Sequence, residues 1–186
     1  MQFSAARPDI IRAINQRWLL QFWQRQLGGQ RLPRWQSVDT ESLKSVSANL
    51  SLLDVMDGGG PARLLIRFHG STIAQVYGAT DCRGKCLNDM LTSGCRSQAL
   101  AAYQQAVDTG NPVYTILDIS DRKGRPVEYE RLLLPFAGDG KTVDRILASF
   151  EFISPDGAFE INGLLLHQPK PPALRLAATF ALEPSA

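Results

Sequence analysis

The chain has 186 residues and a formal net charge of +2, which favours one domain with a substantial core. Its composition, 44% apolar and 20% charged, is ordinary for a globular protein and argues against disorder. The charge is too close to neutral to indicate nucleic-acid binding, so we expect no nucleic-acid partner.

The cysteines indicate a reducing compartment. The chain has three cysteines, Cys82, Cys86 and Cys95, and this odd number provides no disulfide framework. No secretion signal is recognisable in the sequence. The most apolar N-terminal stretch, residues 10–27, is interrupted by three arginines, whereas a membrane span needs about 20 mostly apolar residues. We therefore expect a cytoplasmic protein with reduced thiols.

The first predicted element is a helix over residues 9–27, capped by Asp9 and ended by Gly28-Gly29. Apolar residues occupy more than one of its faces, and the main stripe consists of Ile10, Ile11, Ile14, Trp18 and Phe22. Because Trp18 and Trp23 project about 140° apart on a helix, we predict that one face covers a sheet and the other forms a homodimer. The predicted dimer contact is therefore residues 9–27.

Arginines are concentrated in the N-terminal segment. Residues 1–35 carry six arginines against one aspartate. A basic helix with tryptophans is also typical of binding to a membrane surface. A docked helix with a solvated arginine face is the commoner arrangement, so we do not expect a membrane-surface partner.

Five apolar runs bounded by turns predict β-strands at residues 49–56, 62–69, 113–120, 127–135 and 143–152. The connections within the first pair and among the last three are of hairpin length, which requires antiparallel pairing. Helices are predicted at residues 40–47, near 71–77, at 95–109 and, as a docking helix in the C-terminal arm, at 173–182. The predicted fold class is α+β, a five-stranded antiparallel sheet with helices on one face and an N-terminal helix for the other.

Several motifs, in this order, resemble those of stand-alone bacterial PAS-domain proteins. They are Leu32-Pro33-Arg34-Trp35; Arg67-Phe68-His69-Gly70-Ser71-Thr72-Ile73 with Tyr77-Gly78; Thr109-Gly110-Asn111-Pro112-Val113-Tyr114; Gly124-Arg125-Pro126 with Tyr129-Glu130-Arg131-Leu132-Leu133-Leu134-Pro135; and Asp139-Gly140-Lys141-Thr142-Val143-Asp144. The resemblance implies a PAS-like sheet and a sensory or protein-interaction role in bacterial signalling, with no catalytic residues. It divides the chain into an N-terminal amphipathic helix (1–30), a PAS-like domain (31–153) and a C-terminal arm (154–186).

Cofactor and metal motifs are incomplete. Gly140-Lys141-Thr142 lacks the glycine and the following helix of a phosphate-binding loop, so a hairpin turn is predicted there. The cysteines and the two histidines, His69 and His167, do not have zinc-site spacing, and we expect no metal. Asp81-Cys82-Arg83 resembles the start of the cysteine motif of flavin-binding PAS photoreceptors, but Gly84-Lys85-Cys86 replaces its continuation. Residues 71–110 also lack the histidine that haem-binding PAS domains generally use, so we expect no cofactor.

The fourth predicted strand indicates a ligand pocket. By the period-two rule, Glu128 and Glu130 share one face, which we expect to lie outside and near solvent. Tyr129 and Arg131 then point to the helical side, where PAS domains hold ligands. Tyr77 and Tyr103 from the helices complete the predicted ligand-binding set of Tyr77, Tyr103, Tyr129 and Arg131.

An arginine in that position needs a partner, because burying an isolated charge is costly. One alternative is an internal ion pair with Asp54 or Asp118. The other is a carboxylate on a small ligand, bound bidentately.

The predicted function is a sensory or protein-interaction PAS module that binds a small-molecule ligand and a protein partner. One alternative is a pure interaction module whose core is filled by its own side chains. A second is a small cone-shaped α+β enzyme with a pocket between sheet and helices. We predict no enzyme, because no catalytic constellation is found in the sequence.

Overall fold

A seven-stranded sheet forms the centre of the protein in the computed structural model, which describes residues 1–56, 60–78, 81–166, 168 and 171–181. The strands are β1 (Ser4–Ala5), β2 (Leu50–Met56), β3 (Arg63–His69), β4 (Val113–Ser120), β5 (Pro126–Phe136), β6 (Arg145–Ile153) and β7 (Ala173–Thr179). The helices are α1 (Ile14–Arg25), α2 (Ser71–Val76), α3 (Leu87–Met90) and α4 (Ser93–Thr109), with a 3-10 helix at Thr40–Asn49. The strand order is β1-β7-β4-β5-β6-β2-β3.

The five predicted strands are confirmed and are adjacent and antiparallel in this sheet, from β4 to β3. The register places Arg131 of β5 opposite Thr115 of β4 and Phe150 of β6. Arg131 therefore lies on the central strand, away from either edge. The predicted α+β fold class is correct, and the sheet has two strands more than expected.

The C-terminal arm corrects one prediction. The docking helix expected at 173–182 is wrong over its described part, because residues 173–179 form β7, which pairs antiparallel with β4. β1 then pairs parallel with β7. Strand β4 would otherwise present a row of unpaired backbone groups at the sheet edge, and pairing with β7 satisfies them.

The N-terminal helix lies on the outer face of the sheet, opposite α4. It begins at Ile14, after a short 3-10 turn at Pro8–Ile10, so Asp9 as its cap is wrong. Trp23 is fully buried, and its indole Nε1 donates a hydrogen bond to the Pro135 carbonyl at 2.6 Å. Ile14, which belongs to the predicted apolar stripe, is in contrast 76% exposed and is not a core residue.

The predicted helices between α1 and β4 agree with the structure. Asp39 caps the 3-10 helix Thr40–Asn49 by accepting a hydrogen bond from the Glu41 N–H at 3.1 Å. Gly70, between β3 and α2, packs against the C-terminal end of this 3-10 helix. A side chain does not fit at this position, because a Cβ would lie 2.0 Å from the Ser47 carbonyl oxygen. The helices predicted at 40–47, 71–77 and 95–109 are thus all confirmed within about two residues.

Two predicted turns have different outcomes. The turn at Gly140-Lys141-Thr142 is confirmed, since the Asp139 carboxylate accepts hydrogen bonds from Lys141 and Thr142 and strand β6 follows. The turn predicted from Asp57 begins in residues 57–59, which lie outside the described residues, as does His167. Within the described part of the chain, no helix is long and apolar enough to cross a membrane.

Candidate functional site

A small cavity lies between the inner face of the sheet and helix α4. It encloses about 30 Å³. Since one water molecule needs about 10–15 Å³ of such space, the cavity has room for about two waters or a ligand of a few heavy atoms. Its wall is formed by Tyr77, Leu87, Leu91, Cys95, Gln98, Ala99, Tyr103, Leu117, Tyr129, Arg131, Leu165 and Pro172.

All four predicted ligand-binding residues lie in this wall. Tyr129 and Arg131 come from β5 and point to the helical side, as the period-two rule predicted. Tyr103 comes from α4, and Tyr77 is the residue that caps the C-terminal end of α2. The sequence pattern therefore located the polar part of the cavity.

Arg131 is the only charged residue in the cavity wall among the described residues, and its side chain is only 3% exposed. Its guanidinium carbon lies 5.1 Å from the ring centre of Tyr103 and 5.9 Å from that of Tyr129. Such cation–π contacts stabilise a cation partly. Nε and Nη2 are nevertheless buried and have no hydrogen-bond partner among the described residues.

The tyrosines supply neutral hydroxyl groups. Burial raises the pKa values of Tyr77, Tyr103 and Tyr129, because the charged phenolate is poorly solvated there. The positive charge of Arg131, together with weak hydrogen bonding of its guanidinium to the Tyr103 and Tyr129 hydroxyls, opposes this rise but does not cancel it. The three hydroxyl groups therefore stay protonated and can donate hydrogen bonds.

The two internal partners proposed for Arg131 are wrong. Asp54 pairs with Arg67 and, at 3.0 Å, with Arg145. Asp118 lies 3.4 Å from Arg175. Both carboxylates follow inward-facing leucines on their strands and so lie on the outer face of the sheet, whereas Arg131 is on the inner face.

The outer face of β5 carries a buried polar cluster. Glu130 faces outward as predicted, but the expectation that it lies near solvent is wrong, since it is fully buried under the N-terminal segment. Its Oε2 accepts a hydrogen bond from the Tyr114 hydroxyl at 2.7 Å. Its Oε1 lies 3.0 Å from Nη2 of Arg12. The Arg12 contact is ionic rather than a well-aligned hydrogen bond, because Oε1 has no hydrogen-bond partner among the described residues.

Neighbouring residues extend this cluster. Arg12 also pairs with Glu128, which in turn pairs with Arg175 of β7. On β6, burial raises the pKa of Glu151, whose carboxylate accepts a hydrogen bond from Asn49 at 3.3 Å. The cluster thus connects the N-terminal segment to the four strands β4, β5, β6 and β7.

The C-terminal arm closes one side of the cavity. Leu165 and Pro172 lie in its wall. Backbone hydrogen bonds from Gly163 to the Gln75 carbonyl at 2.8 Å and from Leu165 to the Val76 carbonyl at 3.1 Å hold the arm against α2. Sequence reasoning missed these residues because the arm has no strong periodic pattern.

Cys82 and His69 lie apart from the cavity. The Cys82 backbone N–H donates a hydrogen bond to His69 Nε2 at 2.8 Å, and burial raises the pKa of the Cys82 thiol. Cys95, not Cys82, contributes to the cavity wall. Among the residues that the structure describes, no three histidine, cysteine or acidic side chains group as metal ligands would.

A larger groove lies on the outer face. It encloses about 440 Å³ and is mainly apolar, with Trp35, Leu52 and Phe68 in its wall. Lys44, the one charged residue in this wall among the described residues, is exposed and already paired with Glu41. A ligand site needs a few convergent polar groups, so the cavity at Arg131 is the stronger candidate.

Comparison with known proteins identifies the family. A family model described as "PAS domain" matches residues 12–151, more than half of the chain. No curated protein matches the chain significantly. The resemblance found in the sequence motifs is confirmed.

Several solved structures are similar. A LOV protein from Rhodobacter sphaeroides is 17% identical with a TM-score of 0.45, over 64% of this chain and 71% of its own. The light-state structure of the blue-light photoreceptor Aureochrome1 LOV is 12% identical with a TM-score of 0.43, over 64% of this chain and 91% of its own. From the match to the family model, the chain belongs to the PAS domain family.

Proposed function

We propose that the protein is a non-enzymatic, cytoplasmic sensory PAS module that binds a small molecule in the cavity at Arg131 and signals to a protein partner. The observation that carries this proposal is a buried arginine that lacks an acidic partner among the described residues and lines a cavity with three tyrosines. A buried charge without a partner is costly, and a ligand can remove that cost.

The position of Arg131 on β5 supports a signalling role. Arg131 and Glu130 are consecutive and project to opposite faces of one strand. Arg131 faces the cavity, and Glu130 contacts Arg12, two residues before α1 begins. A shift of β5 on ligand binding would therefore act directly on the N-terminal segment.

Thermal unfolding with fractionated low-mass cell extract tests the proposal. We expect at least one fraction to raise the melting temperature of the full chain by about 2 °C or more, the shift that about 1 kcal/mol gives at this size. The same fraction should leave Arg131→Met unchanged. Arg122→Met, which removes one exposed arginine outside the cavity wall and outside residues 9–27, serves as the control. If no fraction acts on the wild type, a pure interaction module is favoured instead.

We further propose a homodimer through residues 9–27, with the exposed side of α1 as its contact. Ile14 is 76% exposed, and Trp18, one turn later on the same side, is only partly buried. Trp23 belongs to the fold of the single chain and does not serve this contact.

Light scattering measures the dimer directly. The full chain should show twice the chain mass of 20.5 kDa. Ile14→Glu should be monomeric, because it places a charge in an apolar contact. Ser97→Glu adds the same charge to an exposed position of α4, outside residues 9–27, and should remain dimeric. A monomeric wild-type chain would refute the proposed dimer.

A further inference from the structure

The free edge of Arg131 has a defined shape. In a guanidinium group, the N–H bonds of Nε and Nη2 lie side by side and point the same way, so this edge fits two oxygens of one planar anion. These two nitrogens are the ones without hydrogen-bond partners among the described residues. The unsatisfied donors of Arg131 therefore lie on one edge of the guanidinium and form a bidentate site.

Among the described residues, no negative charge pairs with Arg131. Arg131 takes part in none of the ion pairs found among the described residues. The hydroxyl groups of Tyr77, Tyr103 and Tyr129 are protonated donors in the same cavity wall. One positive charge with further donors around it is complementary to one negative charge.

The cavity limits the size of the anion. About 30 Å³ holds a group of a few heavy atoms, so an amino acid, a nucleotide or a flavin does not fit without rearrangement. The apolar remainder of the wall, which includes Leu87, Leu91 and Leu117, favours an ion that loses its water shell readily.

We propose that the cavity binds a small planar oxyanion with a single negative charge, held bidentately by Nε and Nη2 of Arg131. Formate, bicarbonate and nitrate share this chemistry. The inference rests on the proposed sensory function and names the class of ligand. Tyrosine hydroxyls from α4 and β5 donate the additional hydrogen bonds.

Thermal unfolding of the full chain in sodium formate, bicarbonate or nitrate tests this class, with sodium chloride at equal ionic strength as the reference. At about 100 times the dissociation constant, the favoured oxyanion should raise the melting temperature by about 5–10 °C above chloride. Chloride is spherical and offers no pair of oxygens to the edge. The three salts distinguish a carboxylate source from an inorganic one.

Variants of Arg131 locate the effect. Arg131→Met should abolish the shift, and Arg131→Lys, which keeps the charge but loses the planar edge, should weaken binding about tenfold or more. Arg122→Met should respond like the wild type. If Arg131→Met does not fold, broadening of the ¹³C-formate resonance by the wild type, reversed by nitrate, gives an independent measure.

Two results would overturn the oxyanion proposal. One is equal behaviour of all three salts and chloride, with no formate broadening. The other is an oxyanion shift that persists in Arg131→Met. An uncharged compound from the cell extract that stabilises only the wild type would exclude the oxyanion and leave the proposed sensory function standing.

Discussion

Replacement of Trp23 by alanine is expected to lower the free energy of unfolding by about 3–5 kcal/mol, the usual cost of removing a large buried aromatic side chain. Trp23 is fully buried between α1 and the sheet, and its indole Nε1 donates to the Pro135 carbonyl at 2.6 Å. The variant therefore loses apolar burial and leaves a buried carbonyl without its donor. Urea unfolding of the full chain measures the change.

Two variants of the same helix separate the causes. Trp23→Phe keeps most of the buried volume but no donor, so it should lose about 1–3 kcal/mol. Trp18→Ala removes a tryptophan that is only partly buried and stacks on Phe22 at 5.3 Å, and it should cost less than Trp23→Ala. If the two alanine variants are equally destabilised, the distinction between an inner and an outer side of α1 fails.

Helix α1 shows how far periodicity determines a docking face. The pattern correctly predicted a helix that covers the sheet with one side. It could not decide which side, because Ile14 and Trp23 are both large and apolar, and only the contact with β5 separates them. A helical wheel drawn from the sequence does not contain the strand against which the helix packs, so it cannot identify the buried side.

In strand β7, pairing with β4 outweighs the helix propensity of the local sequence. The stretch Ala173-Leu174-Arg175-Leu176-Ala177-Ala178 consists of good helix formers, so a helix was predicted. Each residue's preference amounts to only about 0–0.7 kcal/mol. The edge of β4 provides a ladder of backbone hydrogen bonds, and the small side chains of Ala177 and Ala178 fit in the buried sheet. Tertiary pairing therefore determines the structure of this segment.

The alternation of side chains along a strand predicts which residues of β5 face the candidate site, but not which residues of other strands lie beside them. Period two assigned Tyr129 and Arg131 to the inner face of β5. The same rule, with the register of β4 known, places Asp118 on the outer face and removes it as a partner of Arg131. The register is a property of the folded sheet, which explains why both acidic partners stayed open in the sequence.

Glu130 marks the limit of this rule. Alternation assigned it to the outer face, and an outer carboxylate near a strand end is ordinarily solvated. The docking of the N-terminal segment changes that environment, because Arg12 covers the carboxylate and Tyr114 donates to it from β4. Contacts between segments more than a hundred residues apart leave no local pattern in the sequence.

Loss of Arg12 is therefore expected to destabilise the protein well beyond the cost of a surface substitution. Arg12→Met leaves the fully buried Glu130 carboxylate without its cation. Breaking a buried ion pair costs about 3–5 kcal/mol, and we expect about 3 kcal/mol because Arg12 itself is half-exposed. Arg7→Met removes an exposed arginine from the same segment and should change stability by less than about 0.5 kcal/mol.

A second substitution identifies the buried charge as the cause. Glu130→Gln is neutral and keeps an oxygen that can accept the Tyr114 hydrogen bond. Added to Arg12→Met, it should restore stability, so that the double variant is more stable in urea than Arg12→Met alone. Such coupling between residues in contact typically amounts to about 0.5–3 kcal/mol. Additive losses in the double variant would show instead that Arg12 acts by packing on α1 and not by compensating Glu130, and the coupling between the N-terminal segment and β5 would then lack its electrostatic basis.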